Sequence, residues 1–208
     1  MSSSPHQLGF GFDDILEQEE AASLPSTMDD GIAHYRALLE KHHEAMLAGD
    51  EATAMATREE GNRLAVKLNN GEPGILSGPD APGYVLMRET AALPGTVPMW
   101  GQQGEFTVTI DEMPVHIVMD GMVGASASID VWPGFSANVV EPEKPFISET
   151  GYRSFLGVHA DLVPGHTPDA FVREVIAAHI KCPCKGRLRP VKEDYRRRYS
   201  VGRGNTLG

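Results

Sequence analysis

Hydroxyl, carboxylate, guanidinium and imidazole groups crowd one short stretch, Ser148, Glu149, Tyr152, Arg153, His159, Asp161 and His166. A hydroxyl deprotonated by an imidazole that a carboxylate orients is the arrangement of nucleophilic catalysis. His159 and Asp161 are therefore the candidate catalytic pair, with Tyr152 or Arg153 beside them, for a small hydrolase or transferase. No Gly-x-Ser-x-Gly elbow marks a nucleophile, and Ser148 and Ser154 stand in ordinary contexts. A structural reading competes. Glu149 and Arg153 are four residues apart and would pair on one helical turn, with Tyr152 and Phe155 packing inward. Tyr and Arg are also the residue types that anchor interfaces, which makes Glu149, Tyr152 and Arg153 the binding candidates.

A second cluster, His179-x-x-Cys182-x-Cys184, offers zinc-type ligands. The Cys-x-Cys spacing is unusual, and no second cysteine pair closes a tetrahedron, so the bland reading is a helix end with two reduced thiols. His43-Glu44-Ala45-Met46-Leu47 begins like a zinc-protease helix but lacks the second histidine one turn on. Gly121-Met122-Val123-Gly124 lacks the lysine and the strand–loop–helix setting of a phosphate loop. No metal and no cofactor is expected.

These residues need elements to position them. Residues 30–70 read as a helical hairpin, with Asp29 or Asp30 as first cap, Gly49 as the left-handed stop and Asp50 as the next cap. Gly61 and its alanine neighbours would let the helices approach closely. A strand is expected at Tyr84–Arg88. Phe106/Val108/Ile110, Val115/Ile117/Met119, Ile129/Val131 and Phe135/Ala137/Val139 alternate with other residues, the period of strands with one buried face. Thr167, Pro168 and Asp169 start a last helix with the stripe Phe171, Val172, Val175, Ile176 and Ile180, and Pro183 ends it. The fold class is α+β, with an N-terminal helical hairpin and a C-terminal helix packed on a mainly antiparallel meander. One domain at 28–189 is expected between an acidic flexible arm at 1–27 and a basic flexible tail at 190–208. Within the arm, Phe10, Phe12 and Ile15 among acids suit a segment that orders on a partner, or one that packs on its own domain.

The chain has 208 residues and a formal charge of −11. Residues 181–208 hold nine Lys and Arg against two acids, so residues 1–180 carry nine bases against 27 acids. Such a body repels phosphates and attracts basic surfaces, or simply aids solubility. The tail could touch nucleic acid, although Tyr195 and Tyr199 alone supply little of a stacking platform. No apolar run spans a membrane, no secretory leader is visible, and the two cysteines suit a reducing compartment. The expected location is the cytoplasm.

Residues 45–52, 78–83, Trp132-Pro133-Gly134-Phe135-Ser136 and 148–157 together resemble a family of small, functionally uncharacterised proteins. These are encoded on proteobacterial plasmids and integrative elements. The resemblance covers about residues 30–190 and implies accessory roles of mobile elements, including blocking host defence, but transfers no site residue. The resulting expectation is an acidic, non-enzymatic binding protein. Its partner would be a basic protein or a protein–nucleic acid complex.

Overall fold

The computed structural model describes residues 23–124, 131–158 and 161–202. Helix α1, Met28–Ala48, is capped by Thr27, whose Oγ1 accepts from the Asp30 amide at 3.3 Å and donates to the Asp30 carboxylate at 2.7 Å. The cap thus lies just before the expected Asp29 or Asp30, which instead oppose the helix dipole from the first turn. Gly49 stops α1 at φ 74°, and the Asp50 amide reaches back to the Ala45 carbonyl at 2.9 Å. Asp50 then caps α2, Glu51–Leu68, by accepting from the Thr53 amide at 3.0 Å. Gly61 of α2 is where the hairpin meets the loop after β2. A Cβ there would lie 3.2 Å from Met122 Cε and 3.5 Å from the Tyr35 ring.

The expected strand at Tyr84–Arg88 is a helix, α3, Pro82–Glu89. Pro82 presets its first turn, and Leu86 and Met87 are buried against Tyr35, Leu38 and Leu64 of the hairpin. A four-residue apolar run, Tyr84 to Met87, has no length to distinguish strand from helix.

The sheet is a four-stranded antiparallel meander in the order β1 (Gly104–Ile110), β2 (Met113–Met119), β3 (Phe135–Val139), β4 (Tyr152–Phe155). Phe106, Val108, Ile110, Val115, Ile117, Met119, Phe135, Ala137 and Val139 all face the core, as their alternation requires. Of the strand expected around Ile129 and Val131, Ile129 lies outside the described residues, and Val131 is a buried bend. Helix α4, Pro168–Lys181, covers the core face with Phe171, Val172 and Ile176. The centre is aromatic. Trp132 stacks on Phe171 at 4.5 Å, and Trp100, fully buried, meets both edge-on at 5.3 and 5.5 Å. Rings in such offset and T-shaped pairs gain roughly 0.5–1.5 kcal/mol beyond area burial.

Val191, Tyr195 and Tyr199, from the segment expected as a tail at 190–208, pack on this core. Phe146 and Arg189 exchange backbone hydrogen bonds at 2.8 and 2.7 Å, and Val191 is buried. Helix α5, Glu193–Gly202, sets Tyr195 and Tyr199 against the same cluster. Among the described residues no helix is long and apolar enough to cross a membrane.

Candidate functional site

The polar stretch leading into β4 is built by local hydrogen bonding. The Ser148 hydroxyl donates to the Tyr152 carbonyl at 2.7 Å and accepts from the Tyr152 amide at 3.1 Å, and Thr150 repeats both contacts. This satisfies the outer backbone groups of an edge strand and leaves Ser148 bound to main chain. The expected helical turn pairing Glu149 with Arg153 does not form, because residues 152–155 are a strand whose neighbours point to opposite faces. Tyr152 is not packed inward but is 48% exposed, whereas Phe155 is buried and stacks on Phe135 at 4.8 Å.

Glu149 finds its partners across the chain instead. Lys192 Nζ lies 2.7 Å and Arg189 Nη1 3.8 Å from its carboxylate. The hydrogen bond from Lys192, then its charge, holds the Glu149 carboxyl below the usual range, and the Lys192 ammonium is raised in return. Both groups are exposed, so the pair adds little stability. It pins the basic segment to the sheet margin. Arg153 reaches over the Phe155 ring at 5.9 Å. Glu149 thus lies with Arg189 and Lys192 in a mostly positive setting, whereas Tyr152 and Arg153, adjacent on β4, point to opposite faces of the sheet.

The catalytic candidates do not gather there. His159 lies outside the described residues, and Asp161 is exposed in the following loop. His166 is a core aromatic: its ring meets Trp132 edge-on at 5.9 Å, its backbone carbonyl accepts from the Trp100 indole at 2.8 Å, and neither ring nitrogen is hydrogen-bonded. Glu174 approaches Nε2 only to 3.4 Å. The His43 Nδ1 accepts from the Trp100 amide at 3.1 Å, and burial lowers its pKa. The His42 Nδ1 donates to the Ala54 carbonyl at 3.1 Å, and burial pushes that pKa down to about 4. These imidazoles hold the two packing layers together.

His179 packs edge-on against Phe155 at 5.3 Å, with its pKa lowered by burial and by Arg153 and Arg189. Cys182 is exposed, while Cys184 is buried with its thiol 3.7 Å from the Ile147 carbonyl. Among the described residues no three His, Cys, Asp or Glu side chains are placed to hold a metal.

A groove of about 720 Å³ lies between α3 and β1, lined by Leu76, Pro79, Tyr84, Pro94 and Val118 with Arg88 and Glu105. Arg88 is engaged by the Pro79 carbonyl and Glu89, and no residue from 146–166 lines the groove. A second depression, of about 440 Å³, lies on the open face of the sheet over Thr107, His116, Val118 and Asn138, with Tyr199 at its rim. Sequence reading passed over these residues, although each strand member is the out-of-phase partner of a core residue.

Two curated proteins of Escherichia coli, both named Protein KlcB, are similar to this chain. One is 32% identical over 162 residues, covering 77% of this chain and 38% of that protein. The other is 30% identical over 161 residues, covering 76% of this chain and 34% of its own length. The chain thus spans little more than a third of the curated relatives it matches. No family model matches, and no solved structure matches.

Proposed function

We propose that the protein is a non-enzymatic binding protein of a mobile genetic element, and that its partner is a protein–nucleic acid complex such as a host defence assembly. One observation carries the reading: Glu149 pairs with Arg189 and Lys192 at the entry to β4, the edge strand that carries Tyr152 and Arg153. Along the sequence, acids prevail in 1–180 and bases after 180, and a nucleoprotein presents complements to both signs. The similarity to the KlcB proteins supports an accessory role of this kind. The polar stretch supports binding over catalysis, since the Ser148 and Thr150 hydroxyls are both spent on the Tyr152 backbone.

The test is affinity capture from host lysate at low and high salt, with wild type and Arg153→Glu. A nucleoprotein retained at low salt, released at high salt and lost with Arg153→Glu is the expected result. Retention of nothing salt-sensitive overturns the proposal.

A further inference from the structure

The open face of the sheet carries a row of side chains in direct cross-strand register. Thr107 pairs with His116, His116 with Asn138, and Asn138 with Tyr152. All four point away from the core, because the out-of-phase residues of the same strands, Phe106, Ile117, Ala137 and Phe155, are buried. The row runs from a hydroxyl through an imidazole and a carboxamide to a half-exposed phenol. Tyr199 of α5 completes it. Its ring packs beside Gly151, where a Cβ would come within 2.7 Å of Tyr199 Cε2, and its hydroxyl lies 3.4 Å from the Thr150 carbonyl. Gly151 takes φ 73°, a backbone that only glycine adopts freely, so the strand entry is shaped to admit this ring.

The cations stand on the same helix. Arg197 is 76% exposed, with its Nε 3.9 Å from Glu193, and Arg198 lies over the Tyr195 ring at 5.2 Å. One carboxylate, Glu105, shares the face and sits 3.5 Å from His116 Nε2.

We infer that the open sheet face, with Tyr152 and Tyr199 at its margin and α5, the helix that carries Arg197 and Arg198, alongside, is a binding platform for single-stranded nucleic acid. The inference deepens the proposed function and rests on it for the biological setting. The chemistry is specific to single strands. Phenol rings offer flat faces to unstacked bases, and Asn138, His116 and Thr107 offer donors and acceptors to base edges. The arginines supply the charge that phosphates require. A duplex hides its base faces in the stack and gains from the arginines alone. An acidic peptide has charge but no planar groups for the rings.

Fluorescence anisotropy of the full chain with a labelled oligothymidylate of roughly fifteen nucleotides tests the platform. Binding is expected at about 50 mM salt and weakens strongly by about 200 mM. Tyr152→Ala should lower affinity at least about fivefold, as loss of one stacked base does, whereas Tyr152→Phe stays within about twofold. Arg198→Gln should flatten the salt slope by about 0.7. Circular dichroism checks folding of each variant, and His116→Ala, two strands away on β2, serves as a second probe that should also weaken binding.

Three outcomes overturn the inference: no binding at low salt, Tyr152→Ala binding as wild type, or an equal-length duplex binding as tightly. Polyglutamate displacing the oligonucleotide as well as unlabelled oligothymidylate also overturns it, in favour of an acidic protein ligand. If oligonucleotide binding is absent while salt-sensitive capture from lysate persists, the platform falls and the proposed function stands. The reverse pattern removes the defence-complex setting and keeps the platform.

Discussion

Lowering the pH from about 8 to about 5 should destabilise this protein through His42. Its imidazole is buried against Gly101, donates from Nδ1 to the Ala54 carbonyl and has its pKa pushed from an ordinary 6.5 to about 4. Burial is the main cause, and the Arg58 and His43 charges act in the same direction. The folded-state value lies below the unfolded one, so the unfolded chain takes up the proton first. The stabilisation is complete above about 6.5 and is lost progressively as pH falls towards about 4. At pH 5 the unfolded ring is protonated by about thirty to one, while the folded ring is only about one-tenth protonated. The ratio corresponds to about 2 kcal/mol.

Carboxylates are ionised in both states across most of this window. His43 and His179, also depressed, add slope of the same sign. Urea denaturation of wild type and His42→Leu at several pH values separates them. The variant starts lower, because the Ala54 carbonyl loses its donor at about 1–3 kcal/mol. Its stability should nonetheless fall about 2 kcal/mol less than that of wild type between pH 8 and 5. Equal slopes for the two proteins, or a folded-state His42 resonance titrating near 6.5, would refute the reasoning.

Other outcomes follow from the same coordinates. Trp100→Ala empties the centre of the aromatic cluster and should cost about 3–5 kcal/mol by denaturant midpoint at constant slope. Gly101→Ala places a methyl 2.6 Å from the His42 ring at φ +80°, so strain and overpacking together should cost about 2–4 kcal/mol, readable as a lower melting temperature. A thiol reagent should modify Cys182 quickly in the native protein and reach Cys184 only after unfolding, giving one fast equivalent and a second in denaturant.

The parts of the fold that were legible in the sequence are those fixed by local period. Phe106 through Val139 alternate because one sheet face is buried, and Gly49-Asp50 marks a stop and a start that any helical hairpin needs. The misreading at Tyr84–Arg88 came from weighing a short apolar run above Pro82, the first-turn signal just before it. Helix α5 was obscured by charge. Val191, Tyr195 and Tyr199 fall four apart on one stripe, yet six Lys, Arg and acidic residues at 192–194 and 196–198 surround them. The candidate site was half visible. Tyr152 and Arg153 stood out by type, but the partners of Glu149 lie some forty residues on, and only the fold brings them near. Thr107, His116 and Asn138 form a row through strand register, which no linear spacing encodes.

The buried Val191 and the ring of Tyr199 have a bearing on how the molecule is made. They seal a core whose other walls are laid down from Ala45 onwards, so a nascent chain cannot finish its interior until residue 199 has left the ribosome. Until then the sheet margin at Phe146 lacks the strand-like contact from Arg189, and apolar surface stays uncovered. Maturation should therefore be abrupt and late, and a stalled or truncated product ending before residue 190 should be an aggregation-prone species that a cell would hand to its chaperones.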